Sequence, residues 1–361
     1  MKKNIKLFDP IIGNSEKKEI LKILKSGFWA SGSGLGRVRE FENKFCKYIG
    51  AKECVAVNSG TAALNLALSL LDIKNKEVIL PSLSFISTAH AVKLNGGIPV
   101  FADIDEKSLL IDPDQIKKLI TEKTAVILPV HFAGMACNMN EILNICKEND
   151  IQLIEDAAHA AGTKYNHKKI GSHGTAVCFS FHPVKNLAMP TGGLISINHK
   201  KHKKLKKILN ERRWCGITNR QGFTYDVKQV GWNYYMNEFS AGLGLIQLKK
   251  LDKHNKIRRN IAKRYYNEIE LEQKMPFDRF CSYHFYWIMV KNREKIMKKL
   301  KQNGIEVGIH YKPIHKMSMY KSKIKLPITE QVGNEIISLP THPNLLDKHL
   351  TQIITLVNKF L

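Results

Sequence analysis

The sequence predicts an α/β protein, with a large domain built on a mostly parallel seven-stranded sheet flanked by helices and a smaller C-terminal α+β domain. Three observations predict it. Seven short apolar runs rich in β-branched residues occupy positions 53–57, 77–80, 98–102, 125–130, 151–155, 176–180 and 194–197. Segments between the early runs, such as 61–71 and 139–148, repeat apolar residues three and four apart, the spacing that lines one face of a helix. Beyond about residue 250 this alternation gives way to a basic helical stretch and a different pattern.

Each element follows from these patterns. The seven runs are nearly continuous in apolar residues, as strands buried on both faces must be. Their alternation with helices makes parallel pairing the natural connection. Several end in polar or Gly-rich loops, where open α/β sheets place their chemistry. A helix over about 15–25, ended by Gly27, precedes them. The C-terminal part reads as a strand over 283–290, a helix over 293–303 stopped by Gly304, and a last helix over 347–361. The expected division is residues 1–250 for the N-terminal segment and large domain, and 251–361 for the small domain. A chain of 361 residues is long enough for both.

Hydrophobic residues at 43% and charged residues at 25% are ordinary for a globular chain. No apolar run reaches the roughly 18 to 20 residues that span a bilayer. The basic start, Met1-Lys2-Lys3-Asn4-Ile5-Lys6, is followed by no apolar core or cleavage site. The expectation is a soluble, cytoplasmic protein with no membrane partner. Seven cysteines, at 46, 54, 137, 146, 178, 215 and 281, are scattered and form no C-x-x-C pair. That argues against a disulfide framework or a zinc knuckle, and most are expected as buried thiols.

The net charge of +25 would suit a polyanion, either nucleic acid or a phosphorylated substrate. Only ten of the 57 basic residues are arginines, and the lysines are spread along the chain. The densest runs, 199–207 and 253–264, carry Leu and Ile at helical spacing and read as solvated helix faces. No basic-aromatic motif of a nucleic-acid module appears, so no nucleic-acid partner is expected.

Four segments carry candidate chemistry. Asn58-Ser59-Gly60-Thr61-Ala62-Ala63-Leu64 follows a strand and opens a helix. Free N–H groups at a helix start, a close-approach Gly and a Thr hydroxyl suit a phosphate, although a plain N-cap has the same look. Glu155-Asp156-Ala157-Ala158-His159 ends an apolar strand. A carboxylate there can hold a pyridine nitrogen protonated, which keeps pyridoxal phosphate (PLP) an electron sink; it can equally cap the next helix. His159 can donate to that cofactor's phenolic oxygen or simply pack.

The third segment is Ser180-Phe181-His182-Pro183-Val184-Lys185-Asn186, followed by Thr191-Gly192-Gly193. A partly desolvated lysine in such a loop can form an imine, but spacing alone does not separate Lys185 from the chain's other lysines. The fourth, Gly231-Trp232-Asn233-Tyr234-Tyr235-Met236-Asn237-Glu238, reads as a contact surface or as a buried lead-in to a helix. No metal-ligand spacing, dinucleotide fingerprint, Walker A loop or nucleophile elbow is present, and no metal is expected.

Taken in order, these segments resemble the DegT/StrS family of PLP-dependent sugar aminotransferases. The resemblance also runs through Phe41-Glu42, Pro81-Ser82-Leu83-Ser84-Phe85, Ile98-Pro99-Val100-Phe101-Ala102-Asp103-Ile104-Asp105, Pro129-Val130-His131 and Leu339-Pro340-Thr341-His342-Pro343. It implies the aspartate-aminotransferase fold and PLP held as a Schiff base on Lys185, which would also move the proton between cofactor and substrate carbons. Asp156 matches the partner of the pyridinium nitrogen, and Phe85 the aromatic that stacks on the ring. Gly60, Thr61 and Ser180 match phosphate-binding positions. His159 stands where the family often has Gln, near the phenolic oxygen.

Asn233 matches an Asn that reaches the phosphate from the neighbouring subunit of a homodimer. The resemblance further implies glutamate, or glutamine, as amino donor and a nucleotide-linked keto-sugar as acceptor. Gly308-Ile309-His310-Tyr311-Lys312-Pro313 resembles the stretch that faces the sugar, which makes His310 and Tyr311 candidate substrate contacts. Two departures bear on the substrate: Met189-Pro190-Thr191 stands where many members have an acidic residue before the double glycine, and Tyr235 where others have Arg. Sugar dehydratases of the same fold carry His in place of the lysine, so Lys185 favours transamination. The intact Lys185, Asp156 and Thr61 also disfavour a non-catalytic regulator of this fold.

Overall fold

All seven apolar runs pair into one sheet in the computed structural model, which describes residues 4–361. The reading of the N-terminus rests in part on residues 1–3, which lie outside the described residues. In chain order the strands are β1 (Glu53–Val57), β2 (Glu77–Pro81), β3 (Ile98–Ala102), β4 (Thr124–Ile127) and β5 (Gln152–Asp156). A short hairpin follows, β6 (Lys164–Tyr165) and β7 (Lys168–Lys169), and then β8 (Ala176–Ser180) and β9 (Gly193–Ile197). The order across the sheet is β1-β9-β8-β5-β4-β2-β3. Pairs from β8 to β3 are parallel, and β9 lies antiparallel to both β1 and β8.

Helices α1 (Asn14–Ser26), α2 (Arg37–Ile49), α3 (Gly60–Ser69), α4 (Ser87–Leu94), α5 (Pro113–Leu119), α6 (Met139–Glu148) and α7 (His202–Arg212) accompany the sheet. Because side chains alternate across a strand, Val55, Val57, Val78, Leu80 and Ile195 share a core with α3, α4 and α7. Ala56, Ile79, Val177 and Phe179 point the other way, into a core with α2 and α6. Local signals bound the helices. Ser59 accepts the Ala62 N–H at the start of α3, 3.1 Å away, and Gly50 ends α2 in the left-handed region at φ 76°.

After α7 come an exposed hairpin, β10 (Ile217–Gln221) with β11 (Thr224–Val227), and the 31-residue helix α8 (Glu238–Glu268). The expected boundary at 250/251 falls inside α8. This helix packs on α1 and α2 and also meets the last helix of the chain, so it is a spine shared by both parts. Beyond it, β12 (Tyr286–Met289) pairs antiparallel with β13 (Ile336–Leu339), flanked by α9 (Arg293–Gln302), α10 (Pro327–Glu335) and α11 (Asp347–Phe360). No helix among the described residues is long and apolar enough to cross a membrane.

Two expectations need correction. The basic run 253–264 is not simply a solvated face, because Arg258 is buried. Its Nη1 donates to the carbonyls of Tyr283 (3.3 Å), His284 (3.1 Å) and Thr341 (2.8 Å). Carbonyl dipoles, rather than a carboxylate, offset the cost of burying this cation. The strand expected over 283–290 is also shorter. Residues before Tyr286 instead dock on the large domain, where Ser282 N–H donates to Gly134 O and His284 N–H to Ala133 O. That detour carries the His284 side chain to the edge of the sheet where the candidate residues gather.

Candidate active site

The candidate residues gather where β1, β5 and β8 end. A cavity of about 410 Å³ there is lined by Gly60, Thr61, Phe85, Asp156, His159, Ser180, Lys185, His310 and Tyr311. Every expected site residue except Asn233 is thus brought together from segments up to 251 residues apart in the chain. Asn233 lies exposed outside this cavity. Its carbonyl accepts from Asn58 Nδ2 at 3.3 Å, and the segment around it runs beside β1 before Asn237 caps α8. The lead-in reading of 231–238 therefore describes its place within the chain.

Asp156, the last residue of β5, is buried. Its Oδ2 accepts the Thr88 hydroxyl at 2.9 Å, and its Oδ1 accepts the Ala158 N–H at 3.0 Å. Burial pushes its pKa above the ordinary carboxylate value, while the Ala158 and Thr88 donors and the Lys185 charge pull it back. Glu155, beside it, faces away from the cavity and binds His131 Nε2 at 3.0 Å in the core.

Lys185 sits in the loop between β8 and β9, half-buried. The loop is closed at its base by Phe181 N–H to Gly192 O (2.8 Å) and Met189 N–H to Phe181 O (2.8 Å). Asn186 anchors it through bonds to Asn255 (2.9 Å) and the Ser282 carbonyl (2.8 Å). Desolvation lowers the Lys185 pKa from 10.5 to about 8, against an upward pull from Asp156. His159, His284 and His310 are all lowered, chiefly by burial, so they stay neutral and leave Lys185 as the local cation.

The start of α3 is held close to β8. A Cβ on Gly60 would come 2.7 Å from the Ser180 Cβ, and one on Gly193 would come 2.2 Å from the Ser59 carbonyl oxygen. Both positions therefore exclude a side chain. The first turn of α3, with Thr61 Oγ1 at 2.7 Å from Ser87 Oγ and Ser180 opposite, is a cradle of N–H and hydroxyl donors suited to a phosphate. Phe85 presents an exposed ring on the cavity wall, 6.0 Å from that of Tyr311.

Several residues of the site gave no signal in the sequence. Thr88 is one turn beyond Phe85 but 68 positions from the carboxylate it holds. His284 and Phe8 enter from distant segments and stack at 5.0 Å, with His284 packed 4.6 Å from His159. A larger apolar cleft of about 640 Å³, lined by residues of 10–21 and 183–190, offers no comparable set of titratable groups.

An amine whose pKa is lowered, a buried carboxylate, a donor cradle and a flat ring are the groups PLP needs. His159 Nδ1, buried and without a partner, adds an unused polar atom beside them. The residues present fit the cofactor.

Comparison with known proteins agrees. The chain is 34% identical to the spore coat polysaccharide biosynthesis protein SpsC of Bacillus subtilis, over 96% of this chain and 95% of that one. It superposes on PseC of Helicobacter pylori, an aminotransferase involved in pseudoaminic acid biosynthesis, with TM-score 0.93, 29% identity and 99% of each chain covered. It superposes equally on the PLP form of Streptococcus pneumoniae Spr1654, with TM-score 0.92, 27% identity, and 99% of this chain and 100% of that one covered. Residues 10–358 match the DegT/DnrJ/EryC1/StrS aminotransferase family, and the chain belongs to that family of PLP-dependent sugar aminotransferases.

Proposed function

We propose that the enzyme moves an amino group from glutamate, or glutamine, to the keto group of a nucleotide-linked sugar. The observation that carries this reading is the placement of Lys185 and Asp156 in one cavity, the lysine lowered to about 8 and the carboxylate held by two donors. PLP, when bound, supplies the electron sink for transamination. Lys185 Nζ, neutral in a large fraction of molecules near pH 8, can attack a carbonyl and afterwards carry a proton between carbons. Asp156 would keep a pyridine nitrogen protonated. Gly60, Thr61 and Ser180 would hold the phosphate, Phe85 would stack on the ring, and His159 would meet the phenolic oxygen.

His310 and Tyr311, which line the same cavity as Lys185, would face the sugar. A homodimer is part of the proposal, with Asn233 of one subunit reaching the other's phosphate; its exposure outside its own cavity supports this. The +25 net charge supports an anionic diphosphate substrate. The cysteines, all free, fit a reducing, cytoplasmic setting.

Absorbance tests the assignment. Purified protein with PLP should show a long-wavelength Schiff-base band that glutamate bleaches and that Lys185→Ala abolishes. An unchanged spectrum in the Lys185→Ala protein would overturn it. Product masses from a panel of nucleotide keto-sugars with glutamate then identify the acceptor, and failure of all of them would overturn the nucleotide-sugar reading.

A further inference from the structure

We propose that a pocket outside the active site, between the β6–β7 hairpin, α8 and residues 279–280, binds a diphosphate, either as the inorganic ion or as part of a nucleotide. It shares no lining residue with the cavity that holds Lys185 and does not depend on the reaction proposed above.

The balance of charge carries the argument. The pocket, of about 530 Å³, is lined by Lys164, Lys169, Arg259 and Arg279 against one carboxylate, Asp252. Asp252 is already engaged: it accepts the Tyr48 hydroxyl at 2.5 Å and lies 4.0 Å from Lys169 Nζ. Lys164, Arg259 and Arg279 pair with no carboxylate among the described residues. Four cations against one carboxylate leave three positive charges in surplus. A single phosphate monoester offers about 1.5 to 2 negative charges near neutral pH, so more than one phosphate is needed to balance them. Guanidinium forks and ammonium groups together suit phosphate oxygens.

The fold gathers these cations at a cost. Lys164 and Lys169 stand directly opposite each other in the register of β6 and β7, so both leave the hairpin on one face, where like charges repel. Burial lowers the Lys169 pKa, with Asp252 pulling it up and Lys164 pushing it further down. Neighbours brace the cations without neutralising them. Lys169 Nζ lies 3.2 Å from the centroid of the Tyr48 ring, and the Arg279 guanidinium lies 4.8 Å over Phe280. Arg259 Nη1 donates to the Cys281 carbonyl at 3.5 Å. Gly162, where a Cβ would come 2.4 Å from Asn255 Nδ2, lets the chain before the hairpin pack directly on α8. The lysine-rich composition does not account for this cluster, because two of the chain's ten arginines meet in it.

Calorimetric titration of the PLP-loaded protein with inorganic pyrophosphate, at physiological salt, tests the site. Loading with PLP keeps the probe from the cofactor's own phosphate site. Saturable binding is expected, and its absence would overturn the proposal. The double substitution Lys164→Glu with Arg279→Glu, at two exposed side chains, should weaken binding by about tenfold or more, the scale of one lost charge-assisted hydrogen bond. An unchanged Schiff-base band in that variant shows that it is folded. Lys295→Glu with Lys298→Glu, on the exposed face of α9, makes the same change in net charge and should leave the affinity as it was. Equal weakening in both variants would assign the binding to overall charge and sink the site. Inorganic phosphate binding as tightly as pyrophosphate would refute the diphosphate assignment. Competition with adenosine diphosphate then names the source: displacement of pyrophosphate identifies a nucleotide site, and binding of pyrophosphate alone an inorganic one.

Discussion

Thr88 donates its hydroxyl to Asp156 Oδ2 at 2.9 Å while receiving a 2.7 Å hydrogen bond from Ser84, so α4 reaches across the sheet edge to hold the carboxylate at the end of β5. Burial alone would drive Asp156 toward its neutral form, which could not keep a pyridine nitrogen protonated. The Thr88 and Ala158 donors oppose that drift. A buried carboxylate is useful here because its neighbours are arranged to keep it ionised.

Thr88→Val keeps the shape and removes the donor. Loss of a hydrogen bond to the ionised form raises a carboxyl pKa, so Asp156 would protonate at higher pH. The acid limb of the transamination rate profile should move up by about one pH unit, with about a tenfold loss of rate below it. Rates above the shifted limb should change far less. Single-turnover amination by glutamate, followed by absorbance across pH, measures this.

Capture of PLP by the apo-protein should depend on pH through Lys185. Its pKa is lowered from 10.5 to about 8, so the reactive neutral amine is scarce below that value and predominates above it. The capture rate should rise about tenfold per pH unit up to pH 8 and then level off. A rate that kept climbing to pH 10 would mean an ordinary, solvated lysine. Stopped-flow absorbance with excess PLP reads the rate.

Gly193→Ala should lower stability even without cofactor. The new Cβ would meet the Ser59 carbonyl oxygen at 2.2 Å, and a backbone atom bound into the β1–α3 junction cannot swing aside as a side chain can. Overpacking of this kind costs about 1–3 kcal/mol. Urea denaturation of the apo-protein should show the lower midpoint, and PLP should bind more weakly because the same shift moves the cradle at Gly60.

Arg258→Ala should be more damaging than any substitution of a surface lysine. It empties a buried volume and strips the carbonyls of Tyr283, His284 and Thr341 of their donor. A loss of about 1–3 kcal/mol is expected from the buried carbonyls left unpaired, and the emptied volume adds to it. Since His284 is tied to this arginine through its own carbonyl and packs on His159, PLP affinity should fall in parallel. Denaturant unfolding and a PLP titration on the same samples test both.

Much of the molecule is legible locally. The seven β-branched runs appear as the seven strands of the sheet. Ser59, Asn237, Gly27 and Gly50 sit at helix ends because capping depends on only a few consecutive residues. The segments that carry Lys185 and Asp156 could be found as strand ends and loops, and their ordered resemblance to a family singled them out from the chain's many other lysines and carboxylates.

What the sequence by itself determined, then, is the seven strands of the large sheet, the segments that bear the chemistry and the family they belong to, all properties of short stretches or of their order. Only the tertiary structure decided that β9 inserts antiparallel between β1 and β8, that Arg258 leaves a basic helix face for the core, and that residues 281–285 dock on the large domain and bring His284 to the site. It also decided that Thr88 holds Asp156 and that Tyr311 bonds to His159, partners 68 and 152 residues apart. The physical reason is common to all of these. Periodicity and capping are set by neighbours in the chain, whereas pairing of strands, burial of a cation and the partners of a buried polar atom are set by whichever distant groups packing brings within hydrogen-bond reach.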